Sequence, residues 1–145
     1  KKYYEGKMPL WVMVELMSFS SVSKLYNAMY TSSKQAIATN CKTSPRTLSN
    51  HLHCLSVLRN KCSHAARLIN TNYNPPAKLS STFLRDNPSV SNSSLFAYLL
   101  VLKWRLPTKQ LKNSFRKEIF GLLNKYKDVL DLSLMGIPQN YRNIF

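Results

Sequence analysis

The residues of this sequence that are most able to do chemistry lie close together, between positions 59 and 67. This segment contains Arg59, Asn60, His64 and Arg67, which offer two guanidiniums, an amide and an imidazole. An imidazole exchanges a proton near neutral pH, and a guanidinium pairs with a carboxylate or a phosphate. The four residues are therefore candidates for proton transfer and anion binding, although they would equally suit a solvated helix face.

A long helix is predicted to position these side chains. It begins at Ser44, which can cap the first turn, and Pro45, which suits the first helical position. Apolar residues then recur at steps of three and four as far as about Asn70, as expected for a helix with one buried face. This stripe consists of Leu48, Leu52, Leu55, Cys62, Ala66 and Ile69.

The polar residues divide between two faces of this helix. Asn60, His64 and Arg67 are spaced by four and seven residues, so they share one face, which His53 extends by two turns. Arg59 instead falls in line with the apolar stripe. A guanidinium is costly to bury unless it is paired, so a carboxylate, a phosphate or a subunit boundary must meet it.

Acidic residues that could pair with Arg59 are scarce. Between Glu5 and Asp86 the sole carboxylate is that of Glu15, inside an apolar segment. We therefore predict that Glu15 pairs with Arg59 or Arg67 within the bundle. The whole chain has 21 Lys and Arg against 6 Asp and Glu, a formal net charge of +15. This excess favours RNA, DNA or an anionic membrane as the partner.

The remaining elements are also predicted to be helices. Periodic apolar residues predict no strand and five helical stretches, at about residues 9–30, 33–39, 44–70, 94–106 and 108–130. Between the third and fourth stretches lies a segment rich in Asn, Ser and Pro, residues 71–93, which we predict to be a long irregular loop. The sequence thus predicts an all-α bundle of about five helices, in a single domain over residues 1–145.

Composition excludes several other classes of protein. A hydrophobic content of 44% is too high for a disordered chain, and the apolar run at residues 8–17 is too short to span a membrane. The 3 cysteines have no C-x-x-C spacing, so neither a disulfide scaffold nor a zinc site is expected. We expect no metal, no cofactor, no membrane partner and a cytoplasmic location with reduced thiols. Because the first residue is Lys1 rather than Met, we also expect a fragment of a longer protein.

Three sequence blocks occur in an order that is found in one protein family. They are residues 10–26, residues 55–70 and residues 135–141. They resemble, in turn, the blocks LPLWV…E-x-x-SFG-x-L-S-x-L-Y, LRN-x-CAH-x-x-RLWN and MGFP-x-x-W of AbiD/AbiF-like abortive-infection proteins. The motif Arg59-x-x-x-x-His64 is similar to the R-x(4–6)-H motif of the HEPN superfamily. The chain departs from this pattern at Ser20 for Gly, Ser63 for Ala, Ala65 for a second His and Ile69 for Trp.

This resemblance implies a HEPN-like helical domain that forms the C-terminal portion of such a protein. It implies a metal-independent RNA endonuclease in phage defence or a toxin–antitoxin system. Its catalytic residues would be Arg59 and His64, with Asn60, Arg67 and Glu15 in support and Lys61 and His53 as RNA-binding residues. The implied partners are RNA, an antitoxin and a second copy of the chain. A homodimer through the motif helix would solve a geometric difficulty, because residues 59 and 64 differ by about 140° around an ideal helix.

Two other functions are compatible with the sequence. The first is a non-catalytic RNA-binding or protein-interaction module, because a strongly basic chain binds RNA by counterion release whether or not it cleaves it. The second is DNA binding through a helix-turn-helix, in which the helix after Ser44-Pro45 would present Arg46, Asn50 and His53 to the bases.

Overall fold

The computed structural model describes residues 7–145. The opening residues 1–6, on which we based the expectation of a fragment-like start, lie outside the described residues. Over the described part the fold is all-α, as predicted, and contains no strand. Eight α-helices and one 3₁₀ turn, Leu132–Met135, are present there rather than about five helices. The α-helices are α1 Leu10–Leu16, α2 Phe19–Ala28, α3 Thr31–Asn40, α4 Pro45–Ser63, α5 Ser81–Asp86, α6 Leu95–Arg105, α7 Lys109–Lys125 and α8 Tyr141–Ile144.

α4 is the central helix, and it begins where the sequence predicts. The Ser44 hydroxyl accepts a hydrogen bond from the Thr47 amide at 3.1 Å, and Pro45 occupies the first helical position. α4 packs against α2, α3 and α6, and Leu48 and Cys54 are among its buried residues. Three neighbouring helices therefore pack against α4, and its C-terminal end carries the candidate site.

The first predicted helix, residues 9–30, is wrong as a single element. The backbone is extended at Met17 and Ser18, which separates α1 from α2. Ser18 starts α2, since its hydroxyl accepts a hydrogen bond from the Ser21 amide at 3.1 Å. None of the α1 residues is buried. The apolar stripe that the sequence suggests therefore does not enter the core as one continuous face.

The prediction that α4 continues for two turns beyond residue 63 is also wrong. Ala65 adopts a left-handed conformation with φ of 48°. The Ala66 amide donates to the Lys61 carbonyl at 2.8 Å, and the Ala65 amide donates to the Cys62 carbonyl at 3.3 Å. This pair of hydrogen bonds is a Schellman motif, which usually has Gly where this chain has Ala65. Because neither Gly nor Pro occurs there, the local sequence does not mark the end of α4.

The predicted irregular loop, residues 71–93, is packed rather than loose. It includes the short helix α5, and its Tyr73 and Ala77 are buried in the main core. The Pro75 carbonyl accepts a hydrogen bond from the Tyr98 hydroxyl at 2.6 Å. Two aromatic rings, those of Tyr73 and Tyr98, lie with their centres 4.6 Å apart. These contacts anchor the segment to α6.

α6 is a strongly buried helix, as its apolar sequence predicts. Six of its residues are buried, and the Ser94 hydroxyl caps it by accepting a hydrogen bond from the Ala97 amide at 3.1 Å. α7 packs against α6, but Leu111 and Leu122 of α7 are exposed although their spacing predicts burial. None of the helices within residues 7–145 has the length and apolarity that a membrane crossing requires.

Candidate functional site

The candidate site is the C-terminal end of α4, where Arg59 and Asn60 form a short chain of hydrogen bonds. Arg59 Nη1 donates to Asn60 Oδ1 at 3.1 Å, and Asn60 Nδ2 donates to Ser20 Oγ at 3.2 Å. Ser20 belongs to α2, so the chain of bonds joins α2 to α4. Sequence reasoning did not place Ser20 in the site. The one feature of the sequence that could have indicated Ser20 is that it stands where the pattern that the chain resembles has Gly.

Arg59 is exposed, so the prediction of a guanidinium on a buried stripe is wrong. Cys62 and Ala66, which belong to the same stripe, are exposed as well. The stripe is buried only in its first half, at Leu48 and Leu55. The neutral amide of Asn60 is the hydrogen-bond partner of Arg59. The positive charge of the guanidinium is therefore not neutralised by that contact and remains available to an anion.

The predicted pairing of Glu15 with Arg59 or Arg67 does not form within the chain. Glu15 is exposed on α1. Over residues 7–145 the ion pair that does form joins neighbouring residues, Arg85 and Asp86, at 3.1 Å. Glu15 lies on α1, which ends at Leu16 and has no buried residue, so its carboxylate stays at the surface.

His64 stays at the end of α4, whereas Arg67 does not. His64 is the C-cap residue and is exposed, and its amide donates to the Asn60 carbonyl at 3.0 Å. Because Ala65 turns the chain immediately afterwards, Arg67 lies in the following segment, where it is exposed. The predicted common helical face of Asn60, His64 and Arg67 is thus wrong for Arg67. Arg59, Asn60 and His64 share the last turns of α4.

The two predicted RNA-binding residues have different surroundings. The Lys61 Nζ lies 5.5 Å from the centre of the Tyr73 ring, a cation–π contact that ties it to the core. His53 is exposed on α4, and it lies about 10 Å before Asn60 along the helix axis. The His53 side chain is therefore accessible to a partner, while the Lys61 ammonium already contacts the Tyr73 ring of the same chain.

An apolar groove adjoins Arg59 and has a volume of about 580 Å³. Phe19 of α2 and Leu102 of α6 line it. Arg105 lines it as well, and its Nη1 donates to the Cys41 carbonyl at 3.0 Å. The contribution of α4 consists of Leu48, Leu52, Leu55, Leu58, Arg59 and Cys62. The groove therefore combines an apolar lining with two guanidiniums, and none of its lining residues is acidic.

Asn50, the central residue of the helix-turn-helix alternative, is engaged within the chain. Its Nδ2 donates to the Pro76 carbonyl at 3.0 Å, and its Oδ1 accepts from the Lys78 amide at 2.7 Å. An Asn that recognises adenine uses both of these groups on the base. Asn50 thus holds the segment after Tyr73 against α4, and this geometry argues against its use in DNA recognition.

His51, the neighbour of Asn50, is a buried structural residue. Its Nε2 lies 2.9 Å from the Lys78 carbonyl oxygen, and its Nδ1 has no hydrogen-bond partner within the described residues. Burial lowers the pKa of His51, and the nearby Arg105 lowers it further, while the bond to the Lys78 carbonyl acts in the opposite direction. The fold therefore favours the neutral imidazole. His51 is separate from the exposed site at the end of α4.

The exposed end of α4 can bind an anion and exchange a proton. A guanidinium has five N–H donors, of which Asn60 occupies one, and the imidazole of His64 has no competing contact within the described residues. Over residues 7–145 no three His, Cys, Asp or Glu side chains are grouped so that they could hold a metal ion.

A comparison with protein-family models relates this site to a known family. Residues 1–70 match a family model described as Abi-like protein. The matched segment reaches from the start of the chain past α4, and it contains the candidate site residues from Glu15 to Arg67. The chain is similar to the Abi-like protein family over residues 1–70, just under half of its length.

The match to the Abi-like family supports a role in abortive infection, that is, in defence against phage. The family match ends at residue 70, so α5 to α8 of this chain lie outside it. Searches of curated proteins and of solved structures returned no match.

Proposed function

We propose that this protein is an RNA endonuclease of the HEPN type that acts in phage defence. The observation that supports the proposal is the exposed end of α4, where Arg59 and His64 lie in the family-matched segment without a carboxylate partner among the described residues. A phosphate can approach both residues from solvent. The net charge of +15 would attract RNA to this surface.

The proposed reaction uses the 2′-hydroxyl of the RNA as the nucleophile. His64 accepts the proton of this hydroxyl while its oxygen attacks the adjacent phosphorus, and the bond to the 5′-oxygen breaks. The leaving 5′-oxygen takes up a proton from an acid, which leaves a 2′,3′-cyclic phosphate and a 5′-hydroxyl. Arg59 binds the phosphate oxygens as negative charge develops on them, and Asn60 keeps the guanidinium in place.

A homodimer would supply the second proton-transfer group. On one helix Arg59 and His64 point in directions about 140° apart, so a single copy is poorly suited to bring both onto one phosphate. Two α4 helices related by a two-fold axis present two imidazoles and two guanidiniums to one substrate. One His64 would then act as base and the other, in its protonated form, as acid. Arg67 and His53 would extend the RNA-binding surface.

Cleavage of a labelled single-stranded RNA in the presence of EDTA tests this proposal. We expect Arg59→Ala and His64→Ala each to lower the cleavage rate by about 100-fold or more, because each removes a group that acts in the transition state. Binding of RNA should persist in both variants and weaken as the salt concentration rises. The 5′-hydroxyl and cyclic phosphate ends identify the reaction.

Arg46→Ala is the matched control, because it removes an exposed cation near the other end of α4. It should cleave at close to the wild-type rate. If all three variants cleave as fast as the wild type, Arg59 and His64 are not the site. If the wild type binds RNA with the expected salt dependence and does not cleave it, the protein is the non-catalytic RNA-binding module instead.

A further inference from the structure

α1 is an apolar helix that has no buried residue. Leu10, Trp11 and Leu16 are 59%, 62% and 72% exposed. Extended backbone at Met17 and Ser18 joins α1 to α2, and the other side of α1, at residues 12–14, is half-buried. Large apolar side chains clustered on a surface are typical of an interface with another protein. α1 therefore has the composition of a segment that packs on a partner.

The apolar groove beside Arg59 has the properties that complement α1. Its lining is apolar, with a guanidinium from Arg59 and no acidic residue. On α4, Leu55 and Arg59 lie one helical turn apart, and on α1, Trp11 and Glu15 have the same spacing. An α1 laid along α4 can thus place Trp11 over Leu55 and Glu15 against Arg59 at the same time.

We infer that this groove receives α1 of a second copy of the chain, with Glu15 of the second copy paired to Arg59. Glu15 is the only acidic residue between Lys7 and Arg85, and within the described residues it forms no ion pair. By two-fold symmetry each copy gives one α1 and receives one, so the contact forms twice. The inference rests on the homodimer of the proposed function and specifies its interface.

This interface makes Glu15 a positioning residue for the other copy. Asn60 of the same chain contacts one guanidinium nitrogen of Arg59, and Glu15 of the second copy contacts another, which leaves the remaining N–H groups of the guanidinium free to bind a phosphate. The candidate site is then complete only in the dimer. In a free monomer, Asn60 alone contacts the exposed guanidinium of Arg59.

Charge reversal tests the pairing, with sedimentation equilibrium of the full chain as the measurement. The wild type should be a dimer, and Glu15→Arg or Arg59→Glu should each weaken dimerisation by about tenfold or more, because like charges then meet at the interface. The double variant should recover the dimer. Glu118→Arg, an equal charge change at an exposed position of α7, should leave dimerisation unchanged. A monomeric wild type, or single variants that dimerise as well as the wild type, would overturn the inference.

A cross-link to a native thiol tests the location of α1 independently of charge. Cys62 is exposed in the groove, one turn beyond Arg59, and it is a free cysteine. In Leu16→Cys, mild oxidation should give a covalent dimer, and adding Cys62→Ser should abolish it. Tyr30→Cys, at an 86% exposed position outside α1, should not cross-link. Equal cross-linking at positions 16 and 30 contradicts the assignment.

The two proposals fail in distinguishable ways. Loss of the dimer in Glu15→Arg is measured without RNA, so it does not depend on whether the protein cleaves RNA. If the interface experiments fail while Arg59→Ala and His64→Ala still abolish cleavage, the endonuclease stands and this interface is wrong. If cleavage is unaffected by Arg59→Ala and His64→Ala while the charge swap restores the dimer, the interface stands and the proposed endonuclease site is wrong.

Discussion

Ala65 decides where α4 ends, and with it which side chains share the candidate site. It has φ of 48°, a left-handed conformation that costs an L-residue about 1–2 kcal/mol because Cβ crowds the following carbonyl oxygen. Ala65 stands where the pattern of the abortive-infection proteins that the chain resembles has a second His. The structure gives the position a backbone role instead, since Ala65 turns the chain and removes Arg67 from the helix.

Replacing Ala65 with Gly is expected to stabilise the protein. Gly adopts the left-handed conformation without the Cβ penalty, so the free energy of unfolding should rise by about 1 kcal/mol. Urea denaturation followed by circular dichroism measures the change. Ala66→Gly is the matched control, because Ala66 does not have positive φ and a Gly there should give no gain. Equal stabilisation by both substitutions would contradict this account of the helix end.

At the scale of elements, a side-chain hydrogen bond joins the candidate site to the neighbouring helix α2. Ser20 on α2 accepts a hydrogen bond from Asn60 on α4, forty positions later in the sequence. Asn60 in turn accepts from Arg59. The packing of α2 on α4 therefore sets the position of the guanidinium. A Gly at position 20 could not provide this hydroxyl, so the contact depends on the Ser side chain.

A double-mutant cycle can measure the coupling between Ser20 and Asn60. Ser20→Ala and Asn60→Ala should each lower the free energy of unfolding by about 1 kcal/mol, because each removes one member of a hydrogen bond. The double variant should lose about 0.5–1.5 kcal/mol less than the sum of the two, as residues in direct contact do. Ser33→Ala, at an exposed position of α3, should have little effect. Strict additivity would show that the bond does not link the helices in solution.

For the molecule as a whole, the buried His51 connects α4 with the segment before α5 and with α6. Its Nε2 bonds the Lys78 carbonyl, and its ring centre lies 6.3 Å from that of Trp104. Burial keeps its pKa below the ordinary value of 6.5. The unfolded chain therefore takes up a proton at a higher pH than the folded chain does, and acid favours unfolding through this residue.

Stability should accordingly fall as the pH is lowered from about 7.5 through 6.5, and the loss should level off below the folded pKa of His51. Above about pH 7.5, His51 is neutral in both the folded and the unfolded chain. Its contribution to the free energy of unfolding is therefore fully present there. His51→Gln, which can still donate to the Lys78 carbonyl, should remove this part of the pH dependence. Urea unfolding at a series of pH values measures this pH dependence.

His53→Gln, at an exposed position, is the control and should retain the pH dependence of the wild type. An unchanged pH dependence in His51→Gln would refute the assignment.

The elements that short-range chemistry controls could be predicted from the sequence alone. The all-α class, the start of α4 at Ser44 and Pro45, and the buried α6 after Ser94 follow from capping residues and apolar periodicity, which act within a few residues. The candidate residues Arg59 and His64 could also be chosen from their types and spacing, together with the resemblance to abortive-infection proteins. The preference for a polyanionic partner follows from the net charge of +15, which depends on composition and not on the fold.

Only the tertiary structure decided which of these residues meet. The extended backbone at Met17 and Ser18 separates Glu15 from the bundle, and the turn at Ala65 separates Arg67 from Arg59. Neither break is marked by Gly or Pro. The capping Ser18 is a local signal for the first break, whereas the turn at Ala65 has no such signal in the local sequence. The bond from Asn60 to Ser20 and the open groove beside Arg59 likewise depend on how α2, α4 and α6 pack, which residue spacing along one helix does not determine.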